Sequence, residues 1–224
     1  MTDFRIRPSD LTFLYEGCKR CFYLRVVHDI IQPSIPIPGV FTKIAGLLKE
    51  HYSYKNTTEL AGTLPEGKFI YGEKRVRSAP IQLPGFESTC TINGRIDIVA
   101  AFKDGSYGVV DFKTGTARDD NQEMYGRQLQ AYAYTLEHPA RGELALKPVE
   151  LLGLAYFSPS SINSLGSERI AYEADVQWIP IQKNEDAFLH FINEVITILT
   201  QPEPPPPTPT CQWCKYLEVI SSRP

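Results

Sequence analysis

No apolar run in this chain approaches the roughly 18 residues that a membrane-spanning helix needs. The opening "MTDFRIRPSD" has no apolar stretch of the kind that marks a secretory leader. The expectation is a cytoplasmic protein without a membrane contact. Positive charge is not in excess either: 23 Lys and Arg stand against 26 Asp and Glu, a net charge of −3. That excludes a surface coated with basic residues for indiscriminate duplex binding. It leaves room for a local basic groove, because charges more than about 8–10 Å apart are largely screened. There is no glycine-rich phosphate loop, no dinucleotide fingerprint and no internal repeat. Cysteine is scarce, and its five residues are too clustered for a secreted disulfide scaffold.

What is there is an ordinary soluble composition, 42% hydrophobic over 224 residues, which suits one domain. That domain is expected to span residues 1–224, with a core at about 40–160 and cysteine-linked termini at 10–30 and 208–218. Ser9 is placed to cap a helix from Asp10 to about Val27, with a break at Gly17. A proline-rich connection, "QPSIPIPG", follows. Val40, Ile44, Leu47 and Leu48 then recur at helical spacing in a helix from about Val40 to Tyr52. "KFIYGEKRVRSA" alternates like an edge strand, and "STCTINGRIDIVAAF" with "YGVVDFKTG" forms a central hairpin. "DDNQEMYGRQLQAYAYTLEH" reads as an amphipathic helix, "ELLGLAYFSP" and "ERIAYEADVQWIPI" as strands, and "KNEDAFLHFINEVITILT" as a long helix. The polyproline-type spacer "QPEPPPPTPT" then delivers "CQWCKY". The fold class expected is α/β, a mixed sheet flanked by helices.

The central hairpin raises a question of charge. Side chains alternate along a strand, so "GVVDFKTG" puts Asp111 and Lys113 on one face. If Lys103-Asp104-Gly105 is a three-residue loop with Gly105 left-handed, Phe102 pairs with Ser106 and Asp97 falls opposite Asp111. A two-residue loop would oppose Asp97 to Phe112 and separate the acids. Facing, partly buried carboxylates are unfavourable unless compensated. A hard divalent cation is one compensation, and Lys113 points into the same space. The bland alternative is a surface hairpin with an Asp–Lys pair.

Three motifs in order resemble the RecB-like branch of the PD-(D/E)XK nucleases: Gly94 with Asp97; Asp111, Lys113, Thr114 and Gly115; and, on the following helix, Tyr125, Gln128, Leu129 and Tyr132. The resemblance implies a restriction-endonuclease-like fold and a Mg²⁺- or Mn²⁺-dependent DNA nuclease, exonucleolytic or acting on single strands and ends. By resemblance, Asp97, Asp111 and the main-chain carbonyl of Phe112 ligate the metal. Lys113 is the catalytic lysine, and Gln128 and Tyr132 orient the site or the strand. Many relatives carry a metal-binding histidine on an early helix. Here "GVFTK" aligns Lys43 with it, and an ammonium cannot ligate metal. His51 lies two turns further on, roughly 12 Å along the axis, where a surface role is expected. The departure leaves three outcomes open: a weaker site, a site completed by Glu73 with Asp97 and Asp111, or a degenerate fold that binds DNA or a protein without cutting.

The pairs Cys18/Cys21 and Cys211/Cys214 come from opposite chain ends, and four thiolates match a tetrahedral zinc or a cubane cluster. "CKRCFYL" and "PTCQWCKY" resemble the cysteine stretches of AddB-type and CRISPR-associated iron–sulfur nucleases. The resemblance implies a 4Fe–4S cluster, with Zn²⁺ as the alternative. The pattern departs from theirs in lacking a third C-terminal cysteine near Ile220, which Cys21 replaces. Cys90 reads as a small apolar strand residue. Candidate nucleic-acid contacts are Arg127 and Tyr125 on the motif helix, with Arg5, Arg7, Lys19, Arg20, Arg25, Lys74, Arg75, Arg77 and Arg118. Tyr15, Tyr23 and Tyr132 are further candidates for stacking bases. The partner implied is DNA. The acidic balance suggests a partner protein that delivers it, and repair, recombination and CRISPR adaptation all use such folds.

Overall fold

The computed structural model describes residues 2–33, 36–118 and 121–222. Its strands are β1 (Asp3–Ile6), β2 (Gly67–Arg77), β3 (Ile81–Gln82), β4 (Thr89–Phe102), β5 (Tyr107–Thr114), β6 (Val149–Ser164) and β7 (Ile170–Ile181). Its helices are α1 (Phe13–Gly17), α2 (Lys19–Val27), α3 (Gly39–Tyr52), α4 (Gln122–Glu137), α5 (Glu185–Leu199) and α6 (Gln212–Ser221). The strands join one mixed sheet in the order β1–β4–β5–β6–β7, with β2 and β3 also pairing on β4. β4 is its spine. Its first half takes β1 in parallel and β3 antiparallel, and its second half lies antiparallel between β2 and β5. β5 pairs β6 in parallel, and β6 pairs β7 antiparallel. This is the mixed α/β sheet flanked by helices that the sequence leads one to expect.

Alternation along the strands divides the interior into layers. Val110 and Phe112 of β5 pack under α3 with Tyr52, Phe69, Ile98 and Phe157. Val109 packs under α4 with Leu129, Tyr132, Leu136 and Leu152. Asn184 caps α5 by accepting from the Ala187 amide at 2.9 Å. The apolar stripe of α5, Phe188, Phe191, Ile192, Val195, Ile196 and Leu199, covers Phe4, Ile6, Tyr15, Phe22 and Ile92. Each such side chain contributes roughly 1.5–3 kcal/mol when fully buried.

The first helical segment differs from expectation. Residues Pro8–Leu11 form a 3-10 turn, in which the Thr12 hydroxyl donates to the Ser9 carbonyl (2.6 Å) and the Ser9 side chain caps nothing. The break falls at Cys18, one residue past Gly17, where extended backbone starts α2. The sequence pattern misses β1 and β3, which at four and two residues are too short to show a period. β1 is fastened instead by tertiary contacts, with the Thr89 and Thr91 hydroxyls donating to the Asp3 carboxylate. The proline spacer runs back along α2: Tyr23 donates to the Gln201 carbonyl and Arg20 to that of Pro205. Ser34 and Ile35 of the first proline-rich connection, and Asp119 and Asp120 at the expected start of the motif helix, lie outside the described residues. Among the described residues, no helix is long and apolar enough to cross a membrane.

Candidate active site and cysteine centre

The turn after β4 is the three-residue loop. Phe102 N donates to Ser106 O (2.9 Å), Gly105 N donates to Phe102 O (3.1 Å), and Gly105 is left-handed with φ 87°. The ladder then runs from Ala101–Tyr107 to Ile98–Val110. One more step sets Asp97 across from Asp111. The ladder ends there because the Phe112 amide donates to Asp97 Oδ2 at 3.1 Å rather than to a main-chain carbonyl. The strands part at the two acids, which are served from opposite faces of the sheet.

Asp111 is only 4% exposed. Its Oδ1 accepts from Gln128 Nε2 (3.2 Å). Its Oδ2 lies 2.6 Å from Lys113 Nζ, a buried ion pair. Burial pushes the Asp111 carboxyl above the ordinary aspartate range; the Lys113 charge opposes the shift and the Asp97 charge adds to it. Lys113 also sits 3.8 Å above the Tyr125 ring and 3.5 Å from Gln128 Oε1. Burial raises the Tyr132 phenol to about 12, which keeps it a donor, and it donates to the Arg95 carbonyl on β4 at 2.8 Å. The motif glycine makes room for that ring: a Cβ on Gly94 would stand 2.7 Å from Tyr132.

The third wall is α3, and the residue it contributes is one the sequence pattern does not single out. Lys49 Nζ lies 2.7 Å from Asp97 Oδ1 and also contacts Glu73 Oε1. Burial opposes the Lys49 charge, but the two carboxylates outweigh it and raise its pKa. Lys43 is exposed and six residues away, roughly 9 Å along the axis, so the alignment that placed it at the acids is corrected. His51 stacks edge-on against Tyr52 and meets Lys55, away from the acids. Both Glu73 oxygens meet cations, Lys49 and Arg95. The clue to Lys49 was its place on the helix between Leu48 and the buried Tyr52, but only the packing of α3 on β2 and β4 selects it.

The nucleic-acid candidates sort differently from expectation. Arg127 is held by Glu16 and Glu123 and lies over the Phe191 ring, a tie between helices. Tyr15, Tyr23 and Tyr132 are 3–5% exposed and cannot offer a face to a base. Lys19 lies over the Tyr15 ring. Arg5, Arg7, Arg25 and Arg77 line a polar groove of about 760 Å³ together with Asp3, Asp10 and Asp29, and Arg25 and Arg77 are paired with Asp29 and Glu143. A second groove, of about 790 Å³, runs between α3 and the β6–β7 ribbon beside Thr114 and Gly115, walled by Phe41, Phe157 and Tyr172.

Two metal functions can be weighed against these side chains. The hard oxygens of Asp97, Asp111 and the Phe112 carbonyl suit Mg²⁺ or Mn²⁺, which take one or two carboxylates and keep water. The buried Tyr156 hydroxyl on β6, close enough to feel the Asp111 charge, has no hydrogen-bond partner among the described residues, which fits a site made for an added ligand. The cysteines form the tighter set. Cys18 and Cys211 are the N-caps of α2 and α6, and Cys21 and Cys214 stand three residues on in each helix, where helix termini favour thiolates. All four sulfurs lie within 4.8 Å of one another, with Cys21–Cys214 at 3.4 Å, Cys21–Cys211 at 3.7 Å and Cys18–Cys214 at 3.8 Å. Among the described residues no other group of three or more such ligands gathers this closely. Burial pushes the Cys214 thiol up to about 11 and Cys21 higher still. At Cys18 burial is outweighed by hydrogen bonds from the Thr208 and Cys21 amides, and the thiol falls to about 6.

The buried Asp111 charge has a consequence for stability. Its folded-state pKa is raised, so the folded chain holds this proton more tightly than the unfolded chain does. Its contribution therefore declines as pH rises from about 3.9 through the folded value. Without divalent ions, Asp111→Asn is expected to melt above the wild type, by a margin that widens from pH 4 to 7. Thermal unfolding across that range checks it. A margin that stays flat would mean Lys113 fully offsets the burial.

The family model described as PD-(D/E)XK nuclease superfamily matches residues 48–219. No curated protein matches the chain. Among solved structures, the chain is similar to one described as "Crystal structure of SSO0001", at 19% identity and a TM-score of 0.48, over 98% of this chain and 85% of that one. The family match takes in the acid hairpin, the motif helix and the second cysteine pair, and on it the chain belongs to the PD-(D/E)XK nuclease superfamily.

Proposed function

We propose that the chain is a Mg²⁺- or Mn²⁺-dependent deoxyribonuclease that acts on single strands or ends. The observation that carries this reading is the contact set Asp97–Phe112–Asp111–Lys113–Gln128 at the point where the strands part. A divalent ion on Asp97, Asp111 and the Phe112 carbonyl would polarise the phosphate and lower the pKa of a bound water. The chain's own residues do the positioning. Lys113, pinned by Asp111 and backed by Tyr125, presents its ammonium where an attacking oxygen or a phosphate oxygen would sit. Gln128 holds Asp111 in one rotamer. Tyr132 fixes β4 through the Arg95 carbonyl, and hence Asp97 two residues on. Phe41 and Tyr172, exposed along the α3–β6–β7 groove, offer faces to unpaired bases.

A second reading is binding without cutting. It is favoured by one observation: the acids already have lysine partners, and no histidine reaches them. The experiment that separates the two is cleavage of labelled single- and double-stranded DNA with Mg²⁺, Mn²⁺ or EDTA. Metal-dependent cleavage is expected, falling at least about 100-fold in Asp111→Ala. Equal cleavage by the variant would overturn the assignment, and DNA binding with no cleavage in any metal would establish the second reading.

For the cysteines the proposed occupant is a single tetrahedral ion, zinc, rather than a 4Fe–4S cluster. Zinc–sulfur bonds of about 2.3 Å set thiolates roughly 3.8 Å apart, close to the spacings seen. A cubane interposes four irons and needs its sulfurs further apart. The ion would hold α6 and the proline spacer against α2, a structural task. Metal analysis of protein purified without oxygen should find one zinc per chain and a colourless solution. A brown preparation with four irons would contradict it.

A further inference from the structure

Glu73 lies directly across from Asp97, between the paired residues Gly72–Ile98 and Lys74–Ile96. Its backbone is left-handed, with φ 52°, a strained state for a residue other than glycine. Lys49 joins the two acids, and Arg95 Nε closes the other Glu73 oxygen at 2.8 Å. The charge around the site therefore balances in two separate groups. Glu73 and Asp97 are matched by Lys49 and Arg95, and Asp111 is matched by Lys113.

We propose that Lys49 is the resident cation of this site. It fills the space between Glu73 and Asp97 and keeps a second divalent ion from bridging them, so that a single ion is held by Asp97 with Asp111. Nucleases that use two metals place a second positive charge near the phosphate; here the Lys49 ammonium supplies that charge from the chain itself. An ammonium is a compact point charge with three donors, enough to hold both carboxylates while the third hydrogen remains for a phosphate oxygen. The proposal rests on the nuclease reading for its choice of ion, but its test reads metal binding and not cleavage.

Mn²⁺ binding to the purified, cysteine-loaded protein can be counted by electron paramagnetic resonance titration. The wild type is expected to bind one ion. Lys49→Ala is expected to take up more: a second ion, or the one ion at least about tenfold more tightly. Adding Glu73→Gln to Lys49→Ala should abolish the gain. In the wild-type background Glu73→Gln should leave the Mn²⁺ isotherm within about twofold, because Glu73 is not a metal ligand while Lys49 holds it. Unchanged or weaker binding in Lys49→Ala, no binding by either protein, or a tenfold loss in Glu73→Gln alone would each overturn the proposal. Where Lys49→Ala fails to fold, Lys49→Met keeps the packing of the stem and removes the charge; the same gain is expected from it, and no gain would overturn the proposal. Failure of the nuclease reading shows separately, as cleavage that survives Asp111→Ala.

Discussion

Everything at the site depends on the three-residue turn at Lys103–Gly105. A strand has a side-chain period of two, so a turn shorter by one residue would move every residue of β5 against β4 by one step. Phe112 would then face Asp97, and the Asp111–Lys113 pair would be carried one step away from Asp97. The turn is fixed locally, by the left-handed Gly105 and by Asp104 accepting from the Ser106 amide and hydroxyl. The chemistry is fixed at the far end of the same hairpin, where the Asp97 carboxylate takes the Phe112 amide. That substitution of a side chain for a ladder carbonyl parts the strands between the two carboxylates.

Opening the strands brings the acids together at an electrostatic cost, and three cations meet it. Lys113 comes from the acids' own hairpin, Arg95 from β4 and Lys49 from α3. Sheet, helix and edge strand are thereby coupled through charge as well as through the apolar layers. The cysteine centre couples the remaining parts. Two helix N-termini, almost a whole chain apart in sequence, share one sulfur cluster, and the proline spacer lies along α2 between them. A metal held by these four sulfurs would make closure over so long a span favourable.

The parts legible in the sequence are those encoded within one hairpin, one helix or one short spacing. Turn chemistry gives the register, alternation gives the faces of Asp111 and Lys113, and the two C-x-x-C pairs give the sulfur cluster. What could not be read depends on packing between distant elements. β1 is too short for periodicity and is held by Asp3 against Thr89 and Thr91. Lys49 and Lys43 look alike along α3, and only the approach of that helix to β2 and β4 distinguishes them. Arg127 looks free beside the motif until Glu16, 111 residues earlier, is found against it. Tyr15 and Tyr23 carry the residue type that stacks on bases, but α5 and the proline spacer bury them.

The central claim is that Lys113 acts on the phosphate and does not merely balance Asp111. Single-turnover cleavage by Lys113→Ala, alongside its DNA affinity and its melting temperature, tests this most directly. The account predicts cleavage lost, DNA binding within a few-fold of wild type, and the fold retained. Cleavage at the wild-type rate, or a loss that follows only from unfolding, would contradict it.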